Sequence, residues 1–389
     1  MVSKNKCFLL ILILATFLTG DSWTTKAPLP TARHGTTAAV VGTAIYVIGG
    51  TPGNSKNEAY YPAGNSWVIK TDMPTSRSGV ASAVYNDRIY VFGGWAGDAL
   101  SAVEEYDPVS NTWSSRTPMP TPRWDLACVT VSNKIYAIGG RNVGVLDTVE
   151  IYDPQSNTWL VGISIPTPRT GLGCALVNGK IYAIGGRDLT MASDANEVYD
   201  TLSRTWHRAA PLPTPRGYYA CVAMDSFIYA IGGLGTDHLT VNEVYNVNTD
   251  IWQTRAAMPT ARKGPGSALY GGRIYVIGGS NTGYVNVNEE YDPVFVAVGE
   301  QKTAKSSGPE ISGQMTTFKI NITCAVGNGQ LTNISLFDIN GCKVDEWQRP
   351  LTRNLTLHPN SGLGFPKGIY FLVVYNEDLN IVKKFVCYP

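Results

Sequence analysis

The sequence predicts an all-β protein: a six-bladed β-propeller closed by its own N-terminal strand, followed by a small Ig-like β-sandwich. Three observations carry this. An apolar strand ending in a glycine pair recurs six times, with second glycines at Gly50, Gly94, Gly140, Gly186, Gly233 and Gly279, in steps of 44, 46, 46, 47 and 46 residues. A tryptophan (Trp23, Trp67, Trp113, Trp159, Trp206, Trp252) and a Glu-x-Tyr (Glu58/Tyr60, Glu104/Tyr106, Glu150/Tyr152, Glu197/Tyr199, Glu243/Tyr245, Glu289/Tyr291) keep the same step. The tryptophan series runs ahead of the others: one precedes the first glycine pair and none follows the last. Self-similarity at such a period means stacked units, none of which buries its hydrophobic face alone.

Each unit reads as four short strands, as Gly171–Trp206 illustrates. The run Leu172–Val177 is small and apolar, and Asn178-Gly179 is a hairpin turn whose two central residues accept positive φ. The strand KIYAIGG (Lys180–Gly186) stops where two residues without a Cβ let the backbone turn. After a loop of about ten residues comes NEVYD, and TWHRAAPLP ends the unit on prolines that cannot donate to a ladder.

Residue size selects the propeller among all-β folds. The first strand of every unit is rich in Ala, Gly, Ser or Cys, as expected where innermost strands crowd one axis. Tyr and Trp fall on the third and fourth strands, where a blade widens. Closure is the second argument. Behind the sixth Glu-x-Tyr stands Pro293-Val294-Phe295, so the strand around Trp23 must complete the last blade and remove the open edge.

These residues resemble the kelch family over about residues 23–292: a glycine pair after an apolar strand, then the spaced Glu-x-Tyr, then the tryptophan. The first unit departs most, being two residues shorter before its Glu58, which implies a tighter loop.

The ends carry different signals. Met1–Lys6 is basic and Cys7–Leu18 is a mostly apolar run of twelve, so residues 1–22 are expected to be a signal peptide, cleaved after Gly20 or Ser22. A run that short does not span a bilayer. The propeller is expected at 23–293, a polar linker at 294–314 and the sandwich at 315–389. Within the last, ISLFDINGCKV (Ile334–Val344) and the terminal FPKGIYFLVVYNEDLNIVKKFVCYP resemble the C-terminal sorting domain of the type IX secretion system. That resemblance implies the secretion machinery as a partner and a secreted or cell-surface protein. Cys342 and the Cys387-Tyr388-Pro389 ending depart from the family pattern, and an accessory Ig-like module is the alternative.

Composition narrows the chemistry. A net charge of +1 with interspersed signs gives no nucleic-acid or membrane footprint. Cys128, Cys174 and Cys221 each follow a repeat arginine by five residues and read as small core residues, while Cys324, Cys342 and Cys387 allow one internal pair at most. There is no zinc spacing, phosphate loop or Gly-x-Ser-x-Gly, and His34, His207, His238 and His358 are scattered. No catalytic residue, metal or cofactor is expected, and the protein is expected to be a monomer. The arginines Arg33, Arg77, Arg123, Arg169, Arg216 and Arg262, paired with the repeat glutamates, read as scaffold because they recur in every unit.

Function is expected where the blades differ. Two loop sets vary, one after the repeat arginine and one after the glycine pair, and in kelch propellers they open on the same face. Together they place Trp95, Trp124, Asp125, Arg141, Arg187, Asp188, Tyr218, Tyr219 and Lys263 around a channel mouth. Aromatic and arginine side chains there suit recognition of a protein or glycan. The competing reading is a kelch-type sugar mutarotase or hydrolase using Arg with Glu or Asp; propeller-as-filler is third.

Overall fold

The computed structural model describes residues 21–293 and, beyond them, seven strands between residues 311 and 387. The chain divides into two compact units, Met1–Val294 and Phe295–Pro389.

The first unit is a six-bladed propeller, each blade a four-stranded antiparallel meander. Blade 4 shows the plan: Gly173–Val177, Lys180–Ile184, Asn196–Asp200 and Thr205–Arg208. The first strands of all six blades adjoin one another in a closed ring around the axis. Their residues alternate between buried and half-buried because one face meets the axis and the other the blade. Second strands lie between neighbouring blades and are buried almost throughout, which is why AIYVI and FIYAI read as unbroken apolar runs. Cys128, Cys174 and Cys221 sit half-buried on first strands as free thiols, with burial pushing Cys128 and Cys221 up to about 12.

Closure is by the N-terminal strand. Ser22–Thr25 pairs antiparallel with Asn288–Asp292, Trp23 opposite Tyr291, to complete blade 6. Every other blade sets a tryptophan against a tyrosine in the same register, such as Trp113 against Tyr106. One boundary moves: Asp21 accepts a hydrogen bond from the Tyr291 hydroxyl at 2.7 Å and Ser22 opens the strand, so the propeller starts at residue 21 and not 23. The rest of the expected signal segment, residues 1–20, lies outside the described residues, and no helix among those described is long and apolar enough to cross a membrane.

A second stitch joins the blades laterally. Each indole N–H reaches a carbonyl of the segment leaving the preceding blade: Trp67 to Ala27, Trp113 to Thr71, Trp159 to Thr117, Trp206 to Ile163, Trp252 to Ala210 and Trp23 to Ala256. Two residues before the tryptophan, Asn65, Asn111, Asn157 and Asp250 adopt positive φ. Each accepts both the tyrosine hydroxyl of its own blade and a backbone N–H of the neighbouring segment. In blade 4 that position is Arg204, at φ 58, which has no acceptor to offer.

In the second unit, Ile311–Thr316, Lys319–Cys324 and Asn354–Leu357 form one antiparallel sheet. Lys343–Pro350, Leu331–Asp338, Gly368–Tyr375 and Asn380–Cys387 form another, in that order. The first of these strands begins at Ile311, inside the stretch 294–314 expected as linker; residues 294–310 lie outside the described residues. So do the packing of the sheets into a sandwich and the pairing of Cys324, Cys342 and Cys387.

Candidate functional site

The repeat arginines are fully buried, and each pairs with its blade's glutamate, as Arg169 does with Glu197 at 2.6 Å and Arg216 with Glu243 at 2.7 Å. The same guanidinium donates to a carbonyl of the second strand, Ala183 for Arg169 and Ala230 for Arg216. A threonine two residues upstream donates to the same glutamate, Thr167 to Glu197 and Thr214 to Glu243. A pair that recurs in all six blades is scaffold. It holds the segment after the arginine at the channel mouth.

That segment closes a ring of its own. Residues two beyond each arginine, Gly35, Gly79, Asp125, Gly171, Tyr218 and Gly264, all have φ between 52 and 65. Each donates its N–H to the carbonyl of its counterpart in the preceding blade: Gly35 to Gly264, Gly264 to Tyr218, Tyr218 to Gly171, Gly171 to Asp125, Asp125 to Gly79 and Gly79 to Gly35, at 2.7–2.9 Å. Left-handed backbone explains four glycines, since a Cβ is penalised there. Asp tolerates that region, but a bulky tyrosine in it is an outlier whose strain points to a use. Their side chains need the neighbouring glycines: a Cβ on Gly79 would fall 2.7 Å from Asp125 Oδ1, and one on Gly171 2.7 Å from the Tyr218 ring.

The two variable loop sets meet above this ring. Backbone bridges join His34 to Thr51, Ser78 to Trp95, Trp124 to Arg141, Thr170 to Arg187, Gly217 to Leu234 and Lys263 to Ser280. Both sets therefore open on one face. On one side of the mouth, Trp95 and Trp124 pack with ring centroids 4.6 Å apart, and the Arg141 guanidinium lies 4.9 Å from the Trp124 ring. Across the axis, in blade 6 and beside it, are Lys263, His238, and His34 stacked on Tyr284 at 5.3 Å.

Asp125 is the acid between these groups. Its surface is half-exposed to the narrow mouth, yet dense protein strips most water from the carboxyl and pushes it up to about 6; Arg141, the nearby Tyr218 phenol and Lys263 oppose that rise. Burial, then the Asp125 charge, raises the Tyr218 phenol to about 12, so it remains a donor at neutral pH. Burial and Lys263 both lower His34 and His238. Arg141, Arg187 and Lys263 form no ion pair among the described residues. Nor is any group of three His, Cys, Asp or Glu there arranged to hold a metal ion.

A model of the KLHDC2/KLHL20/DRC7 Kelch-repeats domain matches residues 9–162 and 160–279. The chain belongs to the kelch-repeat family. Among solved structures it is similar to the "Structure of YjhT", at 16% identity over 68% of this chain and 95% of that one, with a TM-score of 0.62. Likeness at that identity speaks for the fold alone. No curated protein matches significantly.

On this kelch propeller the expected site residues separate. Trp95, Trp124, Asp125, Arg141, Tyr218 and Lys263 come together at the mouth. Tyr219 does not: it is buried between blades 4 and 5, its hydroxyl donating to the Ile184 carbonyl at 2.7 Å and its ring under Arg216. Ring and core positions alternate along that segment, so adjacent tyrosines part company. Arg187 lies at the mouth by backbone, but its guanidinium donates to the Leu234, Gly235 and Thr190 carbonyls, binding loops together. Asp188 is an exposed turn former whose carboxylate accepts from Thr190 and Met191, bonds that hold it below the usual carboxylate range. The sequence reading missed His34, His238 and Tyr284 as neighbours of Lys263. It also missed the ring, although glycine at four of six positions two beyond the arginine was a visible signal.

Proposed function

We propose that this kelch propeller is a binding scaffold that captures a protein or glycan at the channel mouth through a negatively charged group of that ligand. The observation that carries the reading is the mouth itself: Arg141 and Lys263 stand without ion-pair partners beside an aromatic platform of Trp95 and Trp124. Aromatic area supplies contact and unpaired cations supply directed donors. Screening the full-length protein against glycan arrays and candidate surface proteins tests it. A hit should be lost in Lys263→Ala and in Trp124→Ala; capture retained by both places the site elsewhere.

A second reading, a carbohydrate-active enzyme of mutarotase or hydrolase type, draws on Asp125. A carboxyl pushed up to about 6 beside the Tyr218 phenol is suited to moving a proton at neutral pH. Polarimetry on reducing sugars, comparing the protein with Asp125→Asn, decides between the two.

Export completes the proposal. The apolar segment Cys7–Leu18 supports passage of the inner membrane, and the resemblance of Ile334–Val344 and the terminal residues to a type IX sorting domain supports passage of the outer one. In a type IX host, removing Met315–Pro389 should hold the protein in the periplasm; normal surface appearance overturns this.

A further inference from the structure

Asp125 is the one acidic side chain placed in a ring whose other members are four glycines and Tyr218. Its carboxyl projects over Gly79, in space that a Cβ on that residue would occupy. Every element around it contributes a group. Blade 3 brings Arg141, which also lies on Trp124, and blade 4 brings Thr170, whose hydroxyl points to the Asp125 carbonyl at 3.5 Å. The Tyr218 phenol comes from blade 5 to within reach of the carboxyl, and Lys263 from blade 6 acts across the axis. His34 and His238 stand within reach of the Lys263 charge, and Arg187 within reach of Tyr218.

An anion drawn into the mouth by Arg141 and Lys263 therefore meets a carboxylate between them. Two negative groups a few ångströms apart in a partly dried site repel strongly, and the cheaper state has one more proton and one negative charge fewer. We infer that Asp125 is the specificity-determining residue of the mouth: ionised, its carboxylate sets a negative charge in the ring beneath the unpaired cations and turns anions away, and protonated, it leaves the field of those cations open to an anionic ligand. The inference rests on the binding reading above for its ligand class. The proton comes from solvent, is held on the carboxyl as a hydroxyl, and leaves when the anion leaves; no other bond changes. Because the residue's ordinary value of 3.8 is raised to about 6, the change falls in a mildly acidic window.

The test reads the mouth directly. Iodide is an anionic quencher of tryptophan and acrylamide a neutral one, and Trp124 stands next to Asp125. The Trp124 share is the difference between the full-length protein and its Trp124→Phe variant, followed from pH 5 to pH 7.5. Iodide quenching of that share should rise at least about twofold toward pH 5, with acrylamide unchanged. Sulfate, whose charge is constant over this range, should bind about tenfold more tightly at the lower pH. In Asp125→Asn, which suits left-handed backbone, both readouts should sit at the acid-side level throughout. Flat iodide quenching in the wild type overturns the inference. So does an equal rise in Asp125→Asn, which would assign the effect to His34 and His238. Loss of the ligand reading shows instead as capture that survives Lys263→Ala, with the iodide result still standing.

Discussion

Trp23 packs on Tyr291 with ring centroids 4.9 Å apart and planes at 41°, the geometry that Trp113 makes with Tyr106 inside a blade of continuous chain. Residues 268 apart in sequence thus reproduce a local contact. The joint is reinforced by the Trp23 indole on the Ala256 carbonyl and by Tyr291 on Asp21. Deleting Asp21–Pro30 removes the outer strand of blade 6 and also Leu29, which is fully buried. Stability should fall by several kcal/mol, a large share of the ~5–15 typical of a domain. Denaturant unfolding measures it, and an unchanged midpoint would show that the ring closes without this strand.

Arg204 is the flaw in the lateral stitching. It holds φ 58 without the acceptor that Asn157 provides to Tyr152 and Thr117 in the blade before. Arg204→Asn should give Tyr199 and the Ile163 N–H a partner and relieve left-handed strain, raising stability by about 1–2 kcal/mol. The melting temperature should climb a few degrees, while Asn157→Arg should lower it by a similar amount.

The buried arginine–glutamate pairs should behave as scaffold and not as chemistry. Arg169→Met strands Glu197 in the interior with one threonine donor left, at a cost of roughly 3–5 kcal/mol. Chemical denaturation should show the loss, and mild conditions that keep the variant folded should leave mouth binding intact.

Trp95 and Trp124 are set apart from the blade tryptophans by their task. Trp95 is 38% exposed, whereas Trp113 is half-buried with its indole bonded to Thr71. Truncating a central aromatic anchor typically removes ~2 kcal/mol of binding, about thirtyfold in affinity. Trp95→Ala and Trp124→Ala should lose ligand at unchanged melting temperature, and Trp113→Ala should melt early. A reversed pattern would assign binding to the blade flanks.

Asp125 should make stability depend on pH with a definite sign. Its folded value is raised, so the folded state binds the proton more tightly than the unfolded chain. The stabilising contribution is complete below 3.8 and is lost as pH climbs through about 6. Asp125→Asn should therefore be more stable than wild type at pH 7.5 by about 1–3 kcal/mol and no more stable at pH 4. Paired urea titrations at the two values check this; equal differences at both would mean the carboxyl is well hydrated.

Much of this protein was written along the chain. Period, glycine pairs, the Asn178-Gly179 turn and the displaced Trp23 determine blade number, strand order and closure, because each is a local pattern or a count. That the variable loops share one face was implied by the resemblance to kelch propellers. What tertiary structure alone decided is which of those loop residues share a space. Tyr218 and Tyr219 are neighbours in sequence, and only the ring of hydrogen bonds sends the first to the mouth and the second into the core. Arg141 and Arg187 occupy equivalent positions, yet one lies free on a tryptophan and the other is spent on loop carbonyls. Lys263 and Asp125 stand 138 residues apart and feel each other's charge because six blades bring them to opposite sides of one narrow axis, where little water remains to screen them.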